Sequence, residues 1–77
     1  MKLDIISPEK VLYSGSAEMV MLPGLQSPFT ILDRHAPIIS GLEKGVVLYR
    51  NAGQEVTIHI DGGFVEAKNN VIMVCVE

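Results

Sequence analysis

The sequence predicts an all-β fold, a roughly ten-stranded antiparallel β-sandwich or flattened barrel, and three observations carry that prediction. Gly, Pro, Asn and Ser clusters punctuate the chain at roughly five- to ten-residue intervals, the spacing of short strands. Glu55 to Asp61 alternates strictly, with Val56, Ile58 and Ile60 directed inward and Glu55, Thr57, His59 and Asp61 directed outward. No window holds apolar residues at a 3.6-residue period over a helical length.

Taken in order, Met1 to Ile6 places Leu3 and Ile5 on one side and Lys2 and Asp4 on the other, as in a half-buried strand. Ser7-Pro8-Glu9-Lys10 turns the chain. Val11 to Ser14 is a second short strand, and Gly15 permits a bend or bulge before Ala17 to Leu22, where Met19 and Met21 share a face. Pro23-Gly24 and Gln26-Ser27-Pro28 form a loop that ends at the extended run Phe29 to Leu32.

The stretch from Asp33 to Leu42 gathers charge, imidazole, proline and apolar residues more densely than any other. Pro37 fixes its own φ and steers Ala36 away from helix, which predicts an edge strand or loop. Ile38, Ile39 and Leu42 are expected to anchor it in the core, with Asp33, Arg34 and His35 held out as a polar tip. Glu43-Lys44-Gly45 turns into Val46 to Arg50, whose β-branched and aromatic residues suit a pleated surface. Asn51-Ala52-Gly53 closes that hairpin, and Gly62-Gly63 allows a kink before Phe64 to Lys68. Asn69-Asn70 predicts a two-residue hairpin turn, because asparagine tolerates positive φ. Val71 to Val76 is a closing strand, apolar on both faces.

With 77 residues and no linker, the chain is expected to be one domain over 1–77. A domain of this size buries only about 60% of the surface its unfolded chain exposes. The lone Cys75 cannot form an internal disulfide, which suits a reducing compartment. Hydrophobic residues make up 48% of the chain and mean hydropathy is +0.34; so apolar a small chain is expected to have part of its surface covered by a partner. The net charge of -3 comes from scattered groups with no basic stripe, which argues against nucleic acid. The longest stretch free of charge, Met19 to Leu32, is broken by prolines and glycine and falls short of the ~20 apolar residues of a membrane span. No apolar run of signal-peptide length precedes Ser7-Pro8.

Catalytic chemistry finds little support. His35, His59 and Cys75 are isolated, without metal-ligand spacing, so neither metal nor cofactor is expected. Cys75, inside Ile-Met-Val-Cys-Val, is expected to be a buried core thiol. Asp61 is expected to serve a turn at a strand end. Gly41 to Gly45 lacks the phosphate-binding pattern, and no second catalytic group stands near His35.

Five segments, Leu3-Asp4-Ile5-Ile6-Ser7-Pro8-Glu9, Tyr13-Ser14-Gly15, His35-Ala36-Pro37-Ile38-Ile39, Gly45-Val46-Val47 and Gly62-Gly63-Phe64-Val65-Glu66, stand in the order and spacing of one family. Across essentially its whole length the chain resembles the epsilon subunit of bacterial rotary (F-type) ATP synthase, whose mitochondrial counterpart is called delta. The resemblance implies a non-catalytic central-stalk subunit that grips gamma and rests on the c-ring, at the cytoplasmic face of the bacterial plasma membrane. It implies gamma contacts at Ser7 and Ser40, and c-ring contacts at Ser27, Pro28, Phe29, Asp33, Arg34 and His35. Two departures stand out: Ser27-Pro28-Phe29-Thr30 replaces a Gly-Glu-Phe-Gly type of loop, and Arg34 stands where glycine is frequent. The helical hairpin that follows this domain in typical bacterial members has no counterpart before Glu77, so helical inhibition and nucleotide binding are not expected of the chain. A free-standing β-barrel module that binds a peptide or sugar is the alternative. It would need an aromatic groove, and Tyr13, Tyr49, Phe29 and Phe64 are dispersed.

Overall fold

Alternation and turn chemistry resolve residues 1–77 into nine strands in the computed structural model. These are β1 (Lys2–Ile6), β2 (Val11–Ser16), β3 (Met19–Leu22), β4 (Phe29–Leu32), β5 (Ile38–Leu42), β6 (Gly45–Asn51), β7 (Gln54–Ile60), β8 (Gly63–Lys68) and β9 (Val71–Val76). A five-stranded sheet, β2-β1-β9-β8-β5, faces a four-stranded sheet, β4-β3-β6-β7. The β-sandwich is therefore as expected, with nine strands where about ten were predicted and with sheets that do not close into a barrel. One ladder also departs from the expected antiparallel pattern: β1 and β9 run parallel, Leu3 beside Ile72 and Ile5 beside Val74.

Period-2 geometry decides the core. Leu3, Ile5, Val65, Ile72 and Val74 from the larger sheet meet Val20, Leu22, Ile31 and Val47 from the smaller, and these nine side chains are almost completely buried. Burying each contributes about 1.5–3 kcal/mol of transfer free energy. Tyr13 of β2 stacks on Tyr49 of β6 at 4.3 Å between ring centroids, joining the sheets on one side. Burial, with a smaller effect of Tyr13, pushes the Tyr49 phenol upward in pKa. Gly15 lies within β2 beneath the Tyr13 ring, where a Cβ would come within 2.8 Å of the hydroxyl. The expected bend there is absent; the irregular step falls instead at Ile5/Ile6 of β1.

The same alternation corrects two expectations, for Ile39 and Cys75, while sheet position limits the cover of a third residue, Val56. Ile39 is 75% exposed, because Ile38 and Leu42 occupy the inner face of β5 and their neighbour points away. Val56 keeps its inward register opposite Tyr49 but is 41% exposed, since β7 is an edge strand with no neighbour to cover it. Cys75 is half-buried instead of in the core, because Val74 and Val76 take the inner face of β9.

Both hairpin turns need left-handed backbone. Asn69 (φ 54°) and Asn70 (φ 63°) form the expected two-residue turn with residues suited to it. At the β6–β7 turn Ala52 (φ 53°) precedes Gly53 (φ 78°), and alanine is poorly suited to positive φ. Ala52→Asn is expected to raise stability by about 1 kcal/mol, seen as a rise of roughly 4–8 °C in the melting midpoint by circular dichroism.

Candidate subunit interface

Two edge strands, one from each sheet, build a flank of the sandwich. β4 is the edge of the smaller sheet and β5 that of the larger, and residues 33–37 cross between them at one end. At the other end Gly24 bridges to Leu42, while Leu25 donates to the Gly41 carbonyl (3.2 Å) and Glu43 to the Pro23 carbonyl (2.9 Å). Gly24 is required by the tight fold of its own loop: a Cβ there would lie 2.6 Å from the Ser27 carbonyl oxygen and 2.8 Å from the Phe29 ring. A cleft of about 510 Å³ results, lined by Leu25, Ser27, Phe29, Ile39 and Ser40 among others.

Of the residues the sequence singled out, Ser27 and Pro28 are exposed and Phe29 is half-buried, at the start of β4. Asp33, Arg34 and His35 are exposed just beyond its end. The two segments are thus separated by the length of a four-residue strand, about 13 Å. Ser40 joins this flank, its hydroxyl donating to the Gly41 carbonyl at 2.9 Å. Ser7 lies elsewhere, in the turn after β1. Its Oγ accepts from the Lys10 amide (3.2 Å) and donates to the Lys10 carbonyl (3.2 Å), so the hydroxyl shapes its own turn.

The polar tip is held by named bonds. His35 N–H donates to the Leu32 carbonyl at 3.1 Å, closing a turn in which Arg34 has φ 62°. Positive φ at the third position of a turn favours glycine, which is the physical cost of arginine there. The Arg34 amide donates to Asn70 Oδ1 (2.8 Å), tying the tip to the β8–β9 hairpin. His35 Nδ1 lies 2.7 Å from the Ala36 carbonyl; a carbonyl only accepts, so Nδ1 is the donor of this hydrogen bond.

Asp33 accepts from the Met1 α-amino group at 2.9 Å, and the same amino group donates to the Ala17 carbonyl at 3.1 Å. The hydrogen bond from the amino group, then one from Asn70, then weaker charge attraction hold the Asp33 carboxyl below its usual pKa. Because the folded value is depressed, the stabilisation is complete above the unfolded pKa of about 3.9 and disappears as pH falls through the folded value. Asp33→Asn is expected to be less stable than wild type at pH 7 and equal to it at the acid end of a urea-denaturation series. A difference that persists undiminished there would show that the ion pair is not its source.

A second surface escaped sequence reasoning. On the outer face of the larger sheet the registers align Val11, Ile6, Cys75, Phe64 and Gly41 in one row across all five strands. Val11 is 62% and Phe64 50% exposed, and beside them a cleft of about 390 Å³ reaches Ser7 and Pro8. An exposed row of this length is the kind of surface a permanent partner covers.

The family model described as "ATP synthase, Delta/Epsilon chain, beta-sandwich domain" matches residues 1–77. The chain belongs to this ATP synthase delta/epsilon family. It is 38% identical over 74 residues to the ATP synthase epsilon chain of Leptospira interrogans (strain Fiocruz L1-130), covering 96% of this chain and 58% of that protein. It is 37% identical over 73 residues to that of Desulforamulus reducens, covering 95% of this chain and 55% of that one. The chain thus spans little more than half the length of these epsilon-chain relatives. Among solved structures it superposes on a chain of the Euglena gracilis mitochondrial ATP synthase (OSCP/F1/c-ring) with a TM-score of 0.90 at 14% identity, covering 96% of this chain and 48% of that one. A chain of the Tetrahymena thermophila mitochondrial ATP synthase central stalk/c-ring gives 0.83 at 15% identity, covering 99% and 62%. At such identities these two likenesses speak for the shared fold alone.

Within that family frame, Leu25 (61% exposed), Leu32 (58%) and Ile39 (75%) are the interface candidates the sequence reading passed over. A signal was present: β5 alternates, so Ile38 and Ile39 could not both face inward.

Proposed function

We propose that this chain is a non-catalytic rotor element, the β-sandwich of a central-stalk subunit that binds gamma and rests on the c-ring of an F-type ATP synthase. Its place is peripheral, on the cytoplasmic face of the bacterial plasma membrane, and it couples ion-driven rotation of the ring to gamma. The observation that carries this reading is the exposed apolar surface of a domain whose family is a subunit family, with Ile39, Leu25 and Leu32 uncovered in the isolated chain.

The two partners take different surfaces. The β4 edge, with Ser27, Pro28 and Phe29 at one end and Asp33, Arg34 and His35 at the other, meets the c-ring; contact through both segments requires the sandwich to lie along that edge. Gamma takes the outer face of the larger sheet, near Ser7 and its apolar row, and reaches Ser40 at the β5 edge. Mechanical coupling needs contacts that resist shear, and a stiff edge flanked by Pro28 and Pro37 supplies them without any catalytic group.

Reconstitution with gamma and c-ring of a bacterial F-type ATP synthase from the source organism tests this. The expected result is a stable complex with gamma that joins the ring. Single cysteines at Ser27 or His35 should cross-link to the c subunit and at Ser7 or Ser40 to gamma, in a Cys75→Ser background. A chain that stays monomeric in the presence of gamma would overturn the assignment and return the small binding module to first place.

A further inference from the structure

Natural sheets blunt their edges, and three of the four edges here are blunted. β4 has only four residues and follows Pro28; β5 follows Pro37 and is bridged at Leu42 by Gly24; β2 follows Pro8 and Lys10 and pairs through an irregular step. β7 has none of these devices. It is seven residues long, Gln-Glu-Val-Thr-Ile-His-Ile, pairs regularly with β6 along its whole length, and contains no proline and no lysine. It also borders the sheet that is one strand shorter than its partner sheet. On its inner face Val56 is 41% exposed and Ile58 half-buried, apolar side chains that a further strand would cover.

The sequence of this edge is complementary to itself. If two copies meet antiparallel about a two-fold axis perpendicular to the sheet, inner faces stay on one side, and the residue numbers in each pair have a constant even sum. Centring on Thr57 places Glu55 opposite His59, Val56 opposite Ile58 and Thr57 opposite Thr57, so the central pairs are matched in chemistry, and only the terminal pairs, Gln54 opposite Ile60, join unlike residues. Centring one pair further on, at Ile58, would put Glu55 opposite Asp61, a like-charge pair; centring at Val56 would leave His59 without a carboxylate opposite. Glu55 already accepts from Arg50 through Oε2 at 2.8 Å, which leaves Oε1 for the imidazole N–H of the second copy.

We infer that the β7 edge is a self-association surface, on which a second copy of this chain adds its own β7 in the register centred on Thr57 to make one continuous eight-stranded sheet, twice the four strands of each copy. Main-chain hydrogen bonds supply the attraction, and the Glu55–His59 and Val56–Ile58 pairs fix the register. β7 lies at the opposite edge of the smaller sheet from β4, so pairing leaves the β4–β5 flank free. The inference therefore goes beyond the stalk assignment and stands or falls separately from it.

Sedimentation of the 77-residue chain across a concentration series reaching about 1 mM, the range of weak interfaces, tests the inference. Wild type is expected to pass from monomer to dimer. Thr57→Lys sets two ammonium groups face to face on the two-fold axis and is expected to weaken the dimer by more than about tenfold, with an unchanged circular dichroism spectrum. Thr57→Cys in a Cys75→Ser background gives a second readout, because a short bismaleimide should join two copies through position 57 faster than through a control Ser14→Cys on the far sheet. Monomer at every concentration, a Thr57→Lys dimer as tight as wild type, or cross-linking no faster than the control would each overturn the pairing.

Discussion

Gly63→Ala is expected to cost at least about 3 kcal/mol, a large share of the roughly 4–12 kcal/mol that a domain of this length possesses. Two effects act together at this position. Gly63 has φ 146°, a region essentially reserved for glycine. A Cβ built there would sit 2.1 Å from the Cys75 carbonyl oxygen and 3.0 Å from the Val76 Cα, both main-chain atoms that no side-chain rotation can move aside. The clash falls where β8 begins its ladder with β9, opposite Val76, inside the five-stranded sheet. Gly62 supplies the control. Its φ is 149°, but its nearest contact would be 3.5 Å, to the flexible Glu77 carboxylate. Gly62→Ala therefore isolates the backbone strain, about 1–3 kcal/mol. Urea denaturation of both variants should rank Gly63→Ala as clearly the worse; equal losses would mean that β9 moves away from the new methyl group at little cost.

The features legible in the sequence were those fixed by neighbours along the chain. The β7 alternation, the Asn69-Asn70 turn and the kink at Gly62-Gly63 follow from side-chain period and backbone sterics over a few residues, and all appear in the structure. What the sequence left hidden depends on partners distant along the chain. Nothing near Leu3 or Ile72 signals that β1 and β9 lie parallel, because that pairing joins the two ends. Val56 has the inward register its pattern implies yet remains exposed, since pattern gives the face of a strand while its place in the sheet decides how much covers it. The candidate interface divides the same way. The polar tip was visible as a cluster of unlike residues, whereas the row from Val11 to Phe64 draws single residues from separate strands and exists only once the ladders are set.

Adjacent isoleucines allow the docking proposal to be tested against folding. Ile39→Lys is expected to leave stability within about 0.5 kcal/mol of wild type. The side chain is 75% exposed, and its cross-strand neighbour Glu66 would face a lysine with attraction, where an aspartate would be repelled. Affinity for gamma should nevertheless fall about 30-fold or more, the effect of losing an apolar anchor worth about 2 kcal/mol in an interface. Ile38→Ala should do the reverse. Ile38 packs against the core from the inner face of β5, opposite Ala67, so truncation removes buried methylenes and costs about 1–2 kcal/mol of stability. Its effect on gamma binding should vanish at temperatures where the variant is fully folded. Measured side by side by calorimetry and surface-immobilised binding, the pair separates a surface that docks from a strand that merely has to fold. Equal losses of affinity in both variants would remove Ile39 from the interface and leave the proposed gamma contact to Ser7 and the outer row.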